Sequence, residues 1–341
     1  MSLQESLRYE RISPKSYEHP ADRAATAALR SIPLMDKVLK KLVDITHERR
    51  LRQILIGNAV QVSDKQVPKL WARYVQAASV LDLDVVPELF VTQTPLVNAM
   101  AVGAKRPMVI IYSGLAKDYS SSEIDAVLGH ELGHVLSEHV YYETAMWVLL
   151  LLLMNRTGIG GVFSGLPIVA VYLVLLEWFR AAELSCDRAS ALVVGDPLVT
   201  CQMLMRMAGG ALDGMSLDAF LAQAARYQEE EDIWARWSRA WVEVTLTHPF
   251  AVKRTHELMN WVSEGSYDRI RSGAYVRRGQ EPPVTTELQS AIAHYRERFV
   301  KVLSTATGGV EKALRQLEDW LRPGPRGNGE DGPGVGDGDI Q

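Results

Sequence analysis

His130, Glu131 and His134 fall within the run His130-Glu131-Leu132-Gly133-His134. On a helix, residues four apart lie one above the other, so the two imidazoles share a face. Glu131 lies about 100° round from His130 and flanks the same site. Two neutral imidazoles at this spacing can hold a zinc ion, and the glutamate can take a proton from metal-bound water. Two imidazoles leave the ion short of protein ligands, so a third must come from elsewhere. His139 is the next histidine, and counted along the same helix it lies about 180° from His130 and is expected to face away.

An extension of the metzincin kind needs Gly at 137 and His at 140. The chain has Ser137 and Val140, which excludes it. Downstream, Glu183 and Asp187 are four apart in Arg180-Ala181-Ala182-Glu183-Leu184-Ser185-Cys186-Asp187-Arg188. That spacing suits one carboxylate as ligand and a second that fixes the tautomer of a ligand histidine. With Arg180 and Arg188 the same run also reads as a salt-bridged helix face; after a two-histidine motif the ligand reading is preferred. Cys186 is a soft donor the set does not need.

The elements that must position these groups are mostly helical. Ala21–Gly57 has apolar residues at three-to-four spacing with a break at Pro33, and Pro68–Leu81 is a second helix. Pro87–Thr92, Val97–Val102 and Met108–Tyr112 read as a small three-stranded sheet. Within it, Asn98, Ala99, Met100 and Ala101 are candidates for an edge to which an extended substrate adds as another strand. Ser120 and Glu123 form a capping-box signature that starts the histidine-bearing helix. Between the two chemical motifs, Arg156 is the one charge from Thr144 to Leu176. Thr144–Asn155 is about 18 Å as a helix, short of a ~30 Å hydrocarbon core. A transmembrane hairpin, a hairpin dipping into one leaflet, and a buried helical pair or oligomer contact all stay open for 144–176.

At 341 residues and 47% hydrophobic, the chain can bury a substantial core, and a net charge of -4 without a basic run gives nucleic-acid binding no support. Cys186 and Cys201 point to a reducing compartment, and residues 1–20 carry no secretory signal pattern. Met203, Met205 and Met207 read as flexible core filling, and Trp234, Trp237 and Trp241, on one helical stripe, as core packing before a substrate-channel or membrane-interface belt. Helices are expected over Glu287–Ser304 and Val310–Leu321, then a Gly-, Pro- and acid-rich tail from Arg322 that cannot order itself.

His130–His134, Glu183 with Asp187, the Asn98–Gly103 strand and His248-Pro249 together resemble the HtpX-like and CAAX-prenyl endopeptidase family of zinc metallopeptidases. The resemblance implies a predominantly helical α+β fold, a zincin-like metallopeptidase core with a small β-sheet beside the motif helix. It implies one zinc ion on His130, His134 and Glu183, Glu131 as general base, Asp187 as the orienter, and His248 with Arg254 at the oxyanion. Substrates would be proteins or peptides, cut at a cell membrane with the catalytic domain facing the cytoplasm, or otherwise in the cytoplasm, in a role such as membrane protein quality control. The expected division is an N-terminal helical arm at 1–62 that could cover the cleft, the peptidase domain at 63–270, C-terminal helices at 271–321 and the tail at 322–341. The rival is a membrane-associated scaffold or chaperone-like binder that keeps zinc without catalysis.

Overall fold

The computed structural model describes residues 7–46, 48–96, 98–154, 166–210, 212–229, 250–283, 285–307 and Arg315. His248, the Trp234–Trp241 stripe, the 310–321 helix apart from Arg315, and the tail lie outside them.

The helical stretch expected over 21–57 breaks at Pro33 as expected, and its second part is two helices: α1 (Pro20–Ser31) is followed by α2 (Met35–Thr46) and α3 (Glu48–Asn58). Leu34, at φ 68°, makes the sharp turn after Pro33. A strand not expected from the sequence follows, β1 (Val60–Val62), then α4 (Pro68–Val80). β2 (Glu88–Thr92), β3 (Ala99–Val102) and β4 (Met108–Tyr112) complete a sheet of order β1-β2-β4-β3. β2 and β4 run parallel, with Phe90 opposite Ile110, and the outer pairs are antiparallel. β1 escapes detection because three residues carry too little periodicity to mark a strand. β3 is an edge strand, as expected.

After α5 (Ser113–Asp118), α6 (Ser121–Leu136) carries both motif histidines. Its capping box is formed: the Glu123 amide donates to Ser120 Oγ at 3.3 Å, and the Ser120 amide donates to Glu123 Oε2 at 2.7 Å. α6 ends early. Glu138 takes φ 59°, its amide bonds the Val135 carbonyl, and the His139 amide reaches back to the His134 carbonyl at 2.9 Å. This is the Schellman pattern with glutamate in the left-handed position.

α7 (Val140–Met154) and α8 (Leu166–Val194) follow. The apolar 167–176 run and the Glu183–Asp187 run belong to one 29-residue helix. α9 (Pro197–Gly209), α10 (Leu217–Glu229), α11 (Ala251–Ser263), α12 (Ser266–Arg271) and α13 (Thr286–Thr307) complete the described chain.

Two cores flank the motif helix. The main one lies between the sheet, α4, α6, the C-terminal half of α8, α9 and α11. The other joins α1, α2, α7, the N-terminal half of α8 and α13, through residues such as Leu29, Leu39, Leu149, Val174, Trp178 and Phe299. Each such side chain removed from water contributes about 1.5–3 kcal/mol. Within 144–176, α7 residues up to Leu149 and α8 residues from Ala170 pack into this second core, and no described helix is long and apolar enough to cross a membrane.

The N-terminal arm is likewise part of the wall. Tyr9, Ile12 and Tyr17 lie in the main core, α1 in the second, and β1 in the sheet. The described residues of the 1–62 segment thus pack against both cores and the sheet. A helical signal alone cannot distinguish an arm lying over the cleft from one packed behind it.

Candidate metal centre

α6 and α8 cross closely because α6 presents glycine where they meet. A Cβ on Gly133 would stand 2.8 Å from the Ala189 Cβ, and one on Gly129 would stand 2.7 Å from the Val193 Cβ. This approach carries the carboxylates of α8 onto the imidazoles of α6.

Three ligand atoms converge there. His134 Nε2 is 3.2 Å from His130 Nε2 and 3.1 Å from Glu183 Oε1, and His130 Nε2 is 3.5 Å from the same oxygen. Donors about 2.0–2.1 Å from a tetrahedral ion stand about 3.3–3.4 Å apart, so this triangle has the dimensions of a zinc face. All three residues are buried. The other side opens to a cleft lined by Glu131, Asn98, Ala99, Leu115, Val127, Met203 and Met207 among others. Three protein donors with an open fourth position is the pattern of a catalytic site.

The carboxylates behind the triangle are fixed in turn. Asp187 Oδ1 lies 3.1 Å from His130 Nδ1, which turns His130 Nε2 toward the other two donors. Arg254, on α11, donates from Nε and Nη2 to Asp187 at 2.8 and 2.6 Å, and its Nη1 lies 2.8 Å from Glu183 Oε2. Arg254 is 2% exposed. With all three guanidinium nitrogens turned to these carboxylates, Arg254 holds Glu183 and Asp187 in place while forming part of the cleft wall. A fork of donors meeting two carboxylates is a geometry that arginine supplies and lysine does not.

The electrostatics reflect crowded charge. Burial pushes the Asp187 carboxyl up, but the Arg254 charge and the bonds from Arg254 and His130 hold it below its ordinary value. Burial lowers His130 too, yet the Glu183 charge and the bonds to Asp187 and Glu183 win, taking it to about 10. His134 goes to about 4, through burial and the charges of His130 and His139 against the pull of Glu183. Burial, with Glu131 and Glu183 nearby, pushes Glu143 well above the ordinary carboxylate range. A divalent cation on the triangle would lower all four groups, opposing the upward shifts of His130 and Glu143 and adding to the downward shifts of Asp187 and His134.

The expected substrate edge divides in two. Asn98 and Ala99 line the cleft. Met100 packs on the other face of the sheet and Ala101 is buried in the main core, so these two can offer only main-chain groups to the cleft. Of the methionines expected as core filling, Met203 and Met205 are buried and Met207 reaches the cleft mouth.

His139 departs from the helical count. Because α6 terminates at Ser137, His139 folds back beside His134, with ring centroids 5.4 Å apart. Its Nε2 is 3.0 Å from Asp22 Oδ2, and its Nδ1 faces the Cys186 thiol at 3.6 Å. Ser185 Oγ donates to the same Asp22 oxygen at 2.6 Å. His139 and Cys186 are buried beside His134, and their donor atoms lie within 4.8 Å of one of its ring nitrogens. Two further neighbours, Phe179 stacked on His134 at 5.9 Å and Glu143 in the cleft wall, carry no spacing that relates them to the motif.

A family model described as "Peptidase family M48" matches residues 63–262. The chain belongs to peptidase family M48. It is 33% identical over 270 residues to the plastoglobule-localized metallopeptidase 48 of Arabidopsis thaliana, covering 77% of each chain. It is 29% identical over 220 residues to an HtpX protease homologue of Moorella thermoacetica, covering 58% of this chain and 73% of that one. No solved structure matches. The matched span holds the sheet strands β2–β4, both motif helices and Arg254, while α1, α2 and α13, which pack against α7 and α8 in the second core, lie outside it. The likeness to HtpX proteases read from the paired motifs is borne out, and with it a peptidase of predominantly helical α+β fold.

Proposed function

We propose that this M48 peptidase is a zinc-dependent endopeptidase that hydrolyses peptide bonds in proteins or peptides. The observation that carries the proposal is the triangle of His130 Nε2, His134 Nε2 and Glu183 Oε1, sized for zinc and open to the cleft beside Glu131. Zinc held there supplies a Lewis acid and an acidified water at neutral pH.

The chain's own groups do the rest. Glu131, 6% exposed in the cleft wall, accepts a proton from the attacking water and passes it to the leaving amine. Asp187 holds the His130 tautomer, and Arg254 holds Asp187 and Glu183. The unpaired side of edge strand β3, from Asn98, is the proposed place for an extended peptide to align by main-chain hydrogen bonds. His248 is retained as the donor to the oxyanion on family resemblance. Support for a role in membrane protein quality control, at the cell membrane with the site facing the cytoplasm, comes from the HtpX likeness alone.

Glu131→Gln tests the assignment. Zinc content by metal analysis stays at the wild-type level, and cleavage of an unfolded protein substrate falls at least about a hundredfold. Wild-type cleavage by the variant would sink the proposal. So would a zinc ion found on four protein ligands with no turnover by the wild type, which would favour the non-catalytic binder.

A further inference from the structure

His130 and His134 are treated unequally by their surroundings. His130 Nδ1 has Asp187 at 3.1 Å. His134 Nδ1 is buried and has no hydrogen-bond partner. A ligand imidazole that offers Nε2 to a metal carries its proton on Nδ1, and that proton needs an acceptor to fix the ring.

The carboxylate facing His134 Nδ1 is Glu143, whose Oε2 stands 3.9 Å away and is itself buried without a partner. Glu143 reaches this place by construction. The Schellman turn at Glu138 reverses the chain into α7, and the next residue, Thr144, accepts the Gly103 amide at 3.1 Å, tying α7 to the end of β3. Glu143 sits one helical turn into α7, 4% exposed, in the wall of the same cleft. His139, the other polar group against His134, has its Nε2 committed to Asp22.

We propose that Glu143 is the positioning residue for His134, accepting its Nδ1 proton as Asp187 accepts that of His130. The inference rests on the metal-centre reading and extends it to a residue that neither motif contains. At 3.9 Å the pair falls short of a hydrogen bond, and closing it takes about 1 Å, the scale of a side-chain adjustment in Glu143. With it, each ligand histidine has its own acidic partner from a different helix, Asp187 on α8 for one and Glu143 on α7 for the other. The buried glutamate in an otherwise apolar stretch of α7 then has a physical reason to be there.

The test measures zinc affinity of the folded, full-length protein by competition with a chromophoric chelator, alongside thermal melts of the metal-free forms. Glu143→Leu, which keeps bulk and removes the acceptor, lowers zinc affinity about 10- to 100-fold. Glu143→Gln keeps an acceptor oxygen at the same reach and restores affinity to within a few-fold of wild type. A role confined to packing would shift the metal-free melts and leave zinc affinity equal in all folded variants, overturning the inference. Should Glu143→Leu not fold, Glu143→Asp serves in its place: withdrawing the carboxylate by one methylene lowers affinity, and unchanged binding would overturn the inference. Wild-type protein that binds no zinc would overturn the metal centre itself and this inference with it. Wild-type binding with unaltered Glu143 variants overturns the inference alone.

Discussion

Gly133 lies inside the motif yet carries no chemistry, and replacing it by alanine tests whether helix contact sets the metal triangle. The added Cβ would stand 2.8 Å from the Ala189 Cβ, 3.4 Å from the Cys186 Cα and 3.5 Å from its Sγ. Ordinary carbon contacts begin near 3.4 Å, leaving a deficit of about 0.6 Å. Neither the Ala189 Cβ nor the Cys186 Cα can swing aside, because both are fixed to the α8 backbone. The helix must retreat as a body and take Glu183 and Asp187 with it. Metal sites tolerate errors of about 0.2 Å in ligand distance, so the retreat exceeds the tolerance roughly threefold. Alanine gains about 1 kcal/mol of helix propensity over glycine, and overpacking costs about 1–3 kcal/mol. Gly133→Ala is therefore expected to lose up to about 2 kcal/mol of stability and at least about tenfold in zinc affinity, with cleavage falling in step. Gly57→Ala, on α3 with nothing within 4 Å of the new Cβ, is the control and gains up to about 1 kcal/mol without touching zinc binding. Thermal melts with chelator competition on both variants decide the matter. A Gly133→Ala protein that melts higher, as the control does, and binds zinc within twofold of wild type would refute the reasoning.

Two further outcomes follow from the buried charges. Arg254→Met leaves Glu183 and Asp187 without their cation and costs about 3–5 kcal/mol in denaturant unfolding of the metal-free protein, with Arg254→Lys intermediate; a loss below about 1 kcal/mol would mean that the clamp is not formed in solution. Asp22 is pushed up by burial, but the His139 charge and the bonds from His139, Ser185 and Thr26 win and take its carboxyl down to about 2 from 3.8. A depressed carboxyl stabilises the fold when ionised, so roughly 2 kcal/mol is fully present above about pH 4 and is lost as pH falls toward about 2. The stability gap between wild type and Asp22→Asn, read by denaturant unfolding from pH 5 to 2, narrows across that window, and a constant gap would contradict the assignment.

The amino-acid sequence by itself determined what local periodicity and capping chemistry can encode. His130, Glu131 and His134 share a helix because Ser120 and Glu123 start it, and the spacing of four places both imidazoles on one face. Glu183 and Asp187 were legible in the same way, as a paired spacing, and so were the three longer strands and the edge at Asn98. Tertiary structure alone decided what depends on where separate elements meet. The glycines of α6 let α8 approach, and only that approach shows Glu183 completing the triangle and Asp187 behind His130. That Arg254 spends its donors on two buried carboxylates is likewise invisible in a one-dimensional pattern. His139 came to lie beside His134 because a left-handed residue, Glu138, ended the helix where a 3.6-residue count continued it. The apolar 144–176 segment had the composition of a membrane hairpin, and whether such a face meets lipid or protein depends on partners supplied from far along the chain. For the described parts of α7 and α8, α1, α2 and α13 supply such partners, and Glu143 reaches the cleft from within that packing.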